Sequence, residues 1–241
     1  MGYSQHDRCA SVIAIDGPAA VGKSTVGKRL AARLGYLFLD TGAIYRALTL
    51  LAHREGVSVD DGVALARLAN RMDLDIVPAP PGSDRLYSVY LSGEDQTAEV
   101  RSPAVDADVS AVSEKREVRD AVLPIQRRLG RERVVMVGRD IGTVVLPHAD
   151  RKIYLDASAE VRAERRLADM RRAGRAVDAA TVLSEIRRRD ALDSSRAVAP
   201  LRRADDAIAV VTDCLTEDEV VDLLVDVCCR GVGRPGEVLG C

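Results

Sequence analysis

The sequence predicts an α/β fold: a parallel sheet flanked by helices. Three observations carry this. Residues 11–16 (SVIAID) form a short apolar, β-branched run that stops at Gly17-Pro18, as a strand buried on both faces does. From Lys23 to Leu34 the apolar Val26, Leu30 and Leu34 recur four apart, and Gly35 follows in the place of a helix C-cap. A second apolar run at residues 36–40 (YLFLD), with a helix over residues 42–52, completes a β-α-β-α opening.

The pattern then changes. Ala79, Pro80, Pro81, Gly82, Ser83 and Asp84 form a turn cluster between two β-like runs, residues 74–77 and 86–91. They read as a hairpin or small antiparallel unit inserted in the α/β frame. A helix is expected over about residues 114–131. The alternation resumes with strands at residues 133–137 (RVVMV) and 152–156 (KIYLD) and a last strand at 208–212 (IAVVT). An amphipathic helix carrying Val220, Leu223, Leu224 and Val227 follows. Between Arg162 and Arg203 there are 12 Arg and six acidic residues, so that segment is expected to be helical, solvated and mobile. Residues 231–241 are expected to fray. No internal repeat or low-complexity tract is present.

Composition bounds the function. The 241 residues are enough to bury a sizeable core. With 47% hydrophobic and 30% charged residues, wholesale disorder is excluded. No apolar run approaches the roughly 20 residues that span a bilayer. The polar first ten residues do not resemble a signal peptide. Five cysteines without metal-ligand spacing are expected to be reduced thiols in a cytoplasmic protein. The 31 Arg against 4 Lys reflect either coding bias or phosphate binding, and only position separates the two. With no Trp and one Phe, stacking of bases on an aromatic platform is disfavoured.

The chemistry sits at Gly17-Pro18-Ala19-Ala20-Val21-Gly22-Lys23-Ser24, which fits G-x-x-x-x-G-K-[ST] between a strand and a helix. Successive backbone N–H groups in such a loop form an anion-binding concavity, and the helix N-terminus adds its positive end. Lys23 can reach the outer phosphates and the Ser24 hydroxyl can bind Mg2+. A nucleoside triphosphate is therefore expected, on a P-loop NTPase-type sheet. The motif does not name the second substrate.

Four separated blocks do. Ile13-Ala14-Ile15-Asp16-Gly17-Pro18-Ala19 with Gly22-Lys23-Ser24-Thr25, then Asp40-Thr41-Gly42-Ala43-Ile44-Tyr45-Arg46, then Gly138-Arg139-Asp140-Ile141-Gly142-Thr143-Val144-Val145, and Arg196-Ala197-Val198-Ala199-Pro200-Leu201 occur in this order. This set resembles the bacterial cytidylate kinases, within the P-loop nucleoside monophosphate kinases. The resemblance implies transfer of the ATP γ-phosphoryl group to CMP or dCMP with Mg2+. It implies a P-loop kinase core at residues 9–61 and 118–230, an inserted CMP-binding subdomain at 62–117 and an Arg-rich lid at 162–196. It also implies a monomer that works on small molecules, with no nucleic-acid or membrane partner.

The resemblance further implies roles for individual residues. ATP phosphates would lie on Gly17 through Thr25. Thr41, Arg46, Ser110, Arg119, Arg139, Asp140, Arg189, Asp193 and Arg196 would bind CMP. Asp140 would accept from the cytosine amino group and Arg119 would donate to N3 or O2. Lys23, Arg139, Arg189 and Arg196 would serve catalysis. Thr41 could equally be a helix N-cap, and Arg189 with Asp193 could be a simple i,i+4 ion pair. Many relatives carry Asp or Glu immediately before the Gly-Arg-Asp block. Here Val137 stands there, so Asp16 is the alternative acid near the metal, alongside Ser24.

Three other readings compete: a P-loop kinase for UMP or a small alcohol, a nucleic-acid module using the Arg-rich segment, and a nucleotide-gated switch without transfer activity. The Gly-Arg-Asp and Arg196 blocks argue against the first. The acidic residues interleaved among the arginines argue against the second. A set of arginines converging on an acceptor argues against the third.

Overall fold

The structure is a computed structural model and describes residues 9–80, 83, 85, 87–172, 174, 177–195 and 199–241. The chain divides into two compact units. One comprises the described residues up to Tyr36 with Val135–Cys241, and the other Leu37–Val134.

The first unit is built on strands β1 (Val12–Asp16), β6 (Val134–Gly138), β7 (Arg151–Asp156), β8 (Ile208–Val211) and β9 (Val238–Gly240), in the order β6-β1-β7-β8-β9. β1 runs parallel to β7 with Ile13 opposite Arg151, and β7 runs parallel to β8 with Ile153 opposite Ile208. Ile13, Ala14 and Ile15 are fully buried, which is why β1 reads as an uninterrupted apolar run.

Helix α1 (Lys23–Leu34) starts after Gly22 and ends where predicted. Gly35 adopts a left-handed conformation, and the Tyr36 N–H reaches back to the Ala31 carbonyl at 2.9 Å. Helix α8 (Glu217–Val225) opens on a capping box. The Thr216 hydroxyl accepts from the Glu219 N–H, and the Glu219 carboxylate accepts from the Thr216 N–H.

The Arg-rich segment forms two helices, α6 (Ala159–Arg172) and α7 (Ala179–Ser195). They are helical as expected but not wholly solvated. Ala163, Leu167, Val182 and Ile186 form a core of their own between them.

In the second unit, β2 (Leu37–Asp40) is followed by α2 (Gly42–Glu55) and α3 (Gly62–Arg71). The antiparallel sheet β3 (Leu74–Pro78), β4 (Tyr87–Leu91) and β5 (Glu94–Asp95) comes next, with Leu74 opposite Leu91 and Pro78 opposite Tyr87. This is the expected small antiparallel unit. Leu86 and the turn residues Pro81, Gly82 and Asp84 lie outside the described residues. The helix expected over residues 114–131 is α5 (Arg116–Leu129), and it is preceded by a helix the sequence reading did not anticipate, α4 (Pro103–Glu114). Lys115 is extended (φ −69°, ψ 127°) and breaks them. α5 packs against α3.

Two expectations are corrected. Residues 231–241 do not simply fray, because β9 pairs in parallel with β8, placing Ala209 opposite Val238. Nor are all the cysteines free. Cys9 pairs with Cys229 and Cys214 with Cys241, leaving the buried Cys228 as the free thiol. Chain topology brings together residues 220 apart in sequence, which spacing could not reveal. Among the described residues, no helix is long and apolar enough to cross a membrane.

Burial pushes the Cys228 thiol up to about 12, with Arg151 opposing weakly. Cys228 should therefore resist alkylation in the native protein at pH 8. Denaturation without reductant should expose one thiol per chain, and with reductant five. Five without reductant would restore the all-thiol reading.

Candidate active site

Within the first unit the chain leaves β1 at Asp16 and turns at Gly17. A Cβ on Gly17 would lie 2.2 Å from the Leu155 carbonyl oxygen, so only glycine fits. Ala20 holds φ 58° and Gly22 φ 93°. For Ala20 that conformation costs on the order of 1–3 kcal/mol and must be held by its surroundings. Lys23 is buried. Its Nζ donates to the Gly17 and Pro18 carbonyls, each at 2.7 Å, folding the ammonium over the loop. Ser24 follows on the first turn of α1, with Thr25 exposed beside it.

The Gly-Arg-Asp block lies at the carboxyl end of β6. Asp16 reaches it: Oδ1 accepts the Ile141 N–H at 2.8 Å and Oδ2 the Gly142 N–H at 2.7 Å. These amides open a π-helical turn over Ile141–Val145, in which the Asp140 carbonyl accepts the Val144 and Val145 N–H groups. The Arg139 Nε donates to Asp193 Oδ2 at 2.8 Å, bringing α7 to the block. Asp193 is 1% exposed and Asp140 6%. Arg189, one turn before Asp193, is exposed. Lys23, Asp16, Asp140, Arg139 and Asp193 belong to one unit, in which Arg139 binds Asp193 and the charges of Asp140 and Lys23 act on Asp16. Arg196 lies outside the described residues.

The donor set suits Mg2+, which takes oxygen ligands. Burial lifts the Asp16 carboxyl to about 6. The Asp140 charge adds to the rise, while the two amides and Lys23 oppose it. Val137 is apolar and 1% exposed, so its side chain offers no oxygen to a metal.

A cavity of about 250 Å3 opens beside the N-terminus of α1, lined by Val21, Gly22, Val26, Arg165, Thr212 and Leu215 among others. Arg165 donates to the Thr212 hydroxyl at 3.0 Å and to its carbonyl at 2.6 Å. Thr212 and Leu215 were not identified from sequence. Their signal is position, at the carboxyl end of a parallel strand.

In the second unit, Arg46 projects from α2 to the Asp106 carboxylate and the Val100 carbonyl. Thr41 is buried at the N-cap position of α2 without a capping bond from its side chain. The Asp40 carboxylate accepts the Gly42 N–H instead. Arg119 is 9% exposed, lies 5.8 Å over the Tyr45 ring and donates to the Ser113 carbonyl. It is far from the ordinary surface arginine its charged neighbours suggest. Ser110 is exposed on α4. This unit therefore groups Arg46 on α2 with Asp106 on α4, and stacks Arg119 on Tyr45.

A strand–loop–helix phosphate cradle, a lysine folded over it and an acid at the strand end define a P-loop phosphotransferase. The family model for cytidylate kinases matches residues 13–230. A cytidylate kinase of Nocardia farcinica is 52% identical over 216 residues, covering 88% of this chain and 91% of that protein. One of Symbiobacterium thermophilum is 49% identical over 220 residues, covering 91% and 96%. One of Bacillus licheniformis is 45% identical, covering 89% and 94%. The chain belongs to the cytidylate kinase family.

Burial makes the Asp16 carboxyl a weaker acid in the folded protein. Its folded-state pKa lies above the ordinary 3.8, so the protonated group favours the fold. That contribution, on the order of 3 kcal/mol, is complete below about pH 4 and lost as pH rises through about 6. A 13C titration of the Asp16 carboxyl in the ligand-free protein should show a midpoint near 6. A midpoint near 4 would contradict the burial.

Proposed function

We propose that this chain transfers the γ-phosphoryl group of ATP to CMP or dCMP, giving CDP or dCDP and ADP. The observation that carries the reading is the buried Asp140, fixed at the end of β6 beside Arg139 by the Asp16 clamp on the next two amides. Its carboxylate accepts from the cytosine amino group, and a uracil carbonyl there would leave it unpaired. Arg119 donates to N3 or O2, with Ser110 nearby in sequence. Thr41 is assigned to CMP binding by its place in the Asp40–Arg46 block.

Residues 17–25 hold the ATP phosphates. Mg2+, when bound through Ser24 and Asp16, neutralises charge on the outer phosphates. Arg46 exchanges the Asp106 carboxylate for the acceptor phosphate, and Arg139 does the same with Asp193. Arg189 and Arg196 are assigned to the acceptor by resemblance, residues 162–196 to the lid and residues 62–117 to the monophosphate-binding insertion. The transition state is loose, so catalysis is positioning plus cationic stabilisation by Lys23 and the arginines. The acceptor phosphate is already ionised, so no general base is needed. Lid closure keeps water from the γ-phosphoryl group.

The protein acts as a cytoplasmic monomer on small molecules, without nucleic-acid or membrane partners. Arginines of α6 and α7 are tied to interleaved acids, Arg172 to Asp169 and Arg187 to Glu160, which supports this over a polynucleotide track.

A coupled assay of ADP release against a panel of monophosphates tests the reading. CMP and dCMP should lead the panel, and no ADP above buffer with either would end it. Lys23→Met should lower kcat by about 10²–10³-fold. Asp140→Ala should lower kcat/KM for CMP about 10- to 100-fold and leave UMP little changed. An unaltered CMP-over-UMP ratio would remove Asp140 as the base reader.

A further inference from the structure

Arg162, at the start of α6, is 5% exposed. An arginine so deeply buried needs its donors satisfied. Its Nε donates to the Ala157 carbonyl at 2.9 Å. Nη1 donates to Asp190 Oδ1 at 3.0 Å and Nη2 to Asp190 Oδ2 at 2.7 Å, a two-pronged pair between α6 and α7. The remaining bond leaves the lid: Nη1 donates to the Ala19 carbonyl at 3.1 Å, inside the phosphate loop.

That contact has a consequence for the loop. In a trans peptide the carbonyl and the following N–H point in opposite directions. Fixing the Ala19 oxygen therefore fixes the direction of the Ala20 N–H. The same Ala20 carries the strained φ of 58°, and its methyl packs against the Ala163, Leu167, Val182 and Ile186 core of the two helices. The lid thus holds this one peptide unit from both sides, by a hydrogen bond on its carbonyl and by packing on the residue that follows. Left alone, a non-glycine residue would leave this conformation.

We infer that Arg162 is a positioning residue. Anchored by Asp190, it holds the Ala19–Ala20 peptide so that the Ala20 N–H faces the phosphate cradle, and thereby couples the α6–α7 hairpin to triphosphate binding. The inference rests on the phosphoryl-transfer reading but not on the identity of the acceptor.

The test compares the wild type with Arg162→Met, Arg162→Lys and Asp190→Asn. It measures inorganic tripolyphosphate binding by calorimetry, KM for ATP and for CMP, and the melting temperature. Arg162→Met should weaken tripolyphosphate binding and raise KM for ATP about 10- to 100-fold while KM for CMP stays within about twofold. Asp190→Asn keeps the bond to Ala19 and should lose less. Arg162→Lys keeps the charge but not the fork, and should fall between. Lower thermal stability alone, with tripolyphosphate affinity intact, would overturn the positioning role, as would equal losses for tripolyphosphate and CMP. If Arg162→Met does not fold, Arg162→Lys decides: unchanged tripolyphosphate affinity overturns the inference. A wild type that binds tripolyphosphate in an Arg162-dependent way yet releases no ADP with CMP defeats the acceptor assignment and leaves this inference standing.

Discussion

The site depends first on one carboxylate. Asp16 ends the strand that feeds the phosphate loop, and its two oxygens take the N–H groups of Ile141 and Gly142. Those amides open the turn after Arg139 and Asp140. One side chain therefore sets the position of the Gly-Arg-Asp block relative to the loop. Burial makes this costly, as the lifted pKa records. The two charge-assisted bonds offset part of that cost.

A second regularity concerns arginine. Arg139 is bound to Asp193, Arg162 to Asp190 and Arg46 to Asp106. In each case the guanidinium is aimed by a carboxylate, which presents oxygens much as a phosphate does. A carboxylate partner keeps the side chain extended and oriented before any phosphate arrives. Arg162 differs from the others because it also grips the loop backbone and is almost fully buried. It serves as scaffold, whereas the Arg46 and Arg139 side chains stay partly exposed.

Much of this was legible in the sequence. The strand–loop–helix motif fixed β1, the loop and α1 together, because glycine positions and apolar spacing agreed. Gly35 closes α1 by the geometry its lack of a side chain permits. Asp16 stood out as an acid that ends an apolar strand, and the structure buries it there. Other features were hidden for physical reasons. Arg162 looks like one solvated arginine among 12, and only the packing of α6 on α7 buries it. Arg119 gives no sequence sign that it lies over Tyr45. β9 is three residues in a glycine-rich tail, too short for an alternating pattern, and it forms because β8 offers an edge. α4 escaped notice because it buries only Val105 and Val112 and so shows little apolar periodicity. The cysteine pairs join residues that meet only after folding.

Amide hydrogen exchange at Ile141 and Gly142, in the ligand-free wild type and in Asp16→Ala, tests the central clamp most directly. If Asp16 holds the Gly-Arg-Asp turn, both amides exchange as slowly as those of β1 in the wild type. Both should become markedly faster in the variant, while the amides of α8 do not change. Rapid exchange at these two positions in the intact protein, or protection that survives loss of the carboxylate, would contradict it.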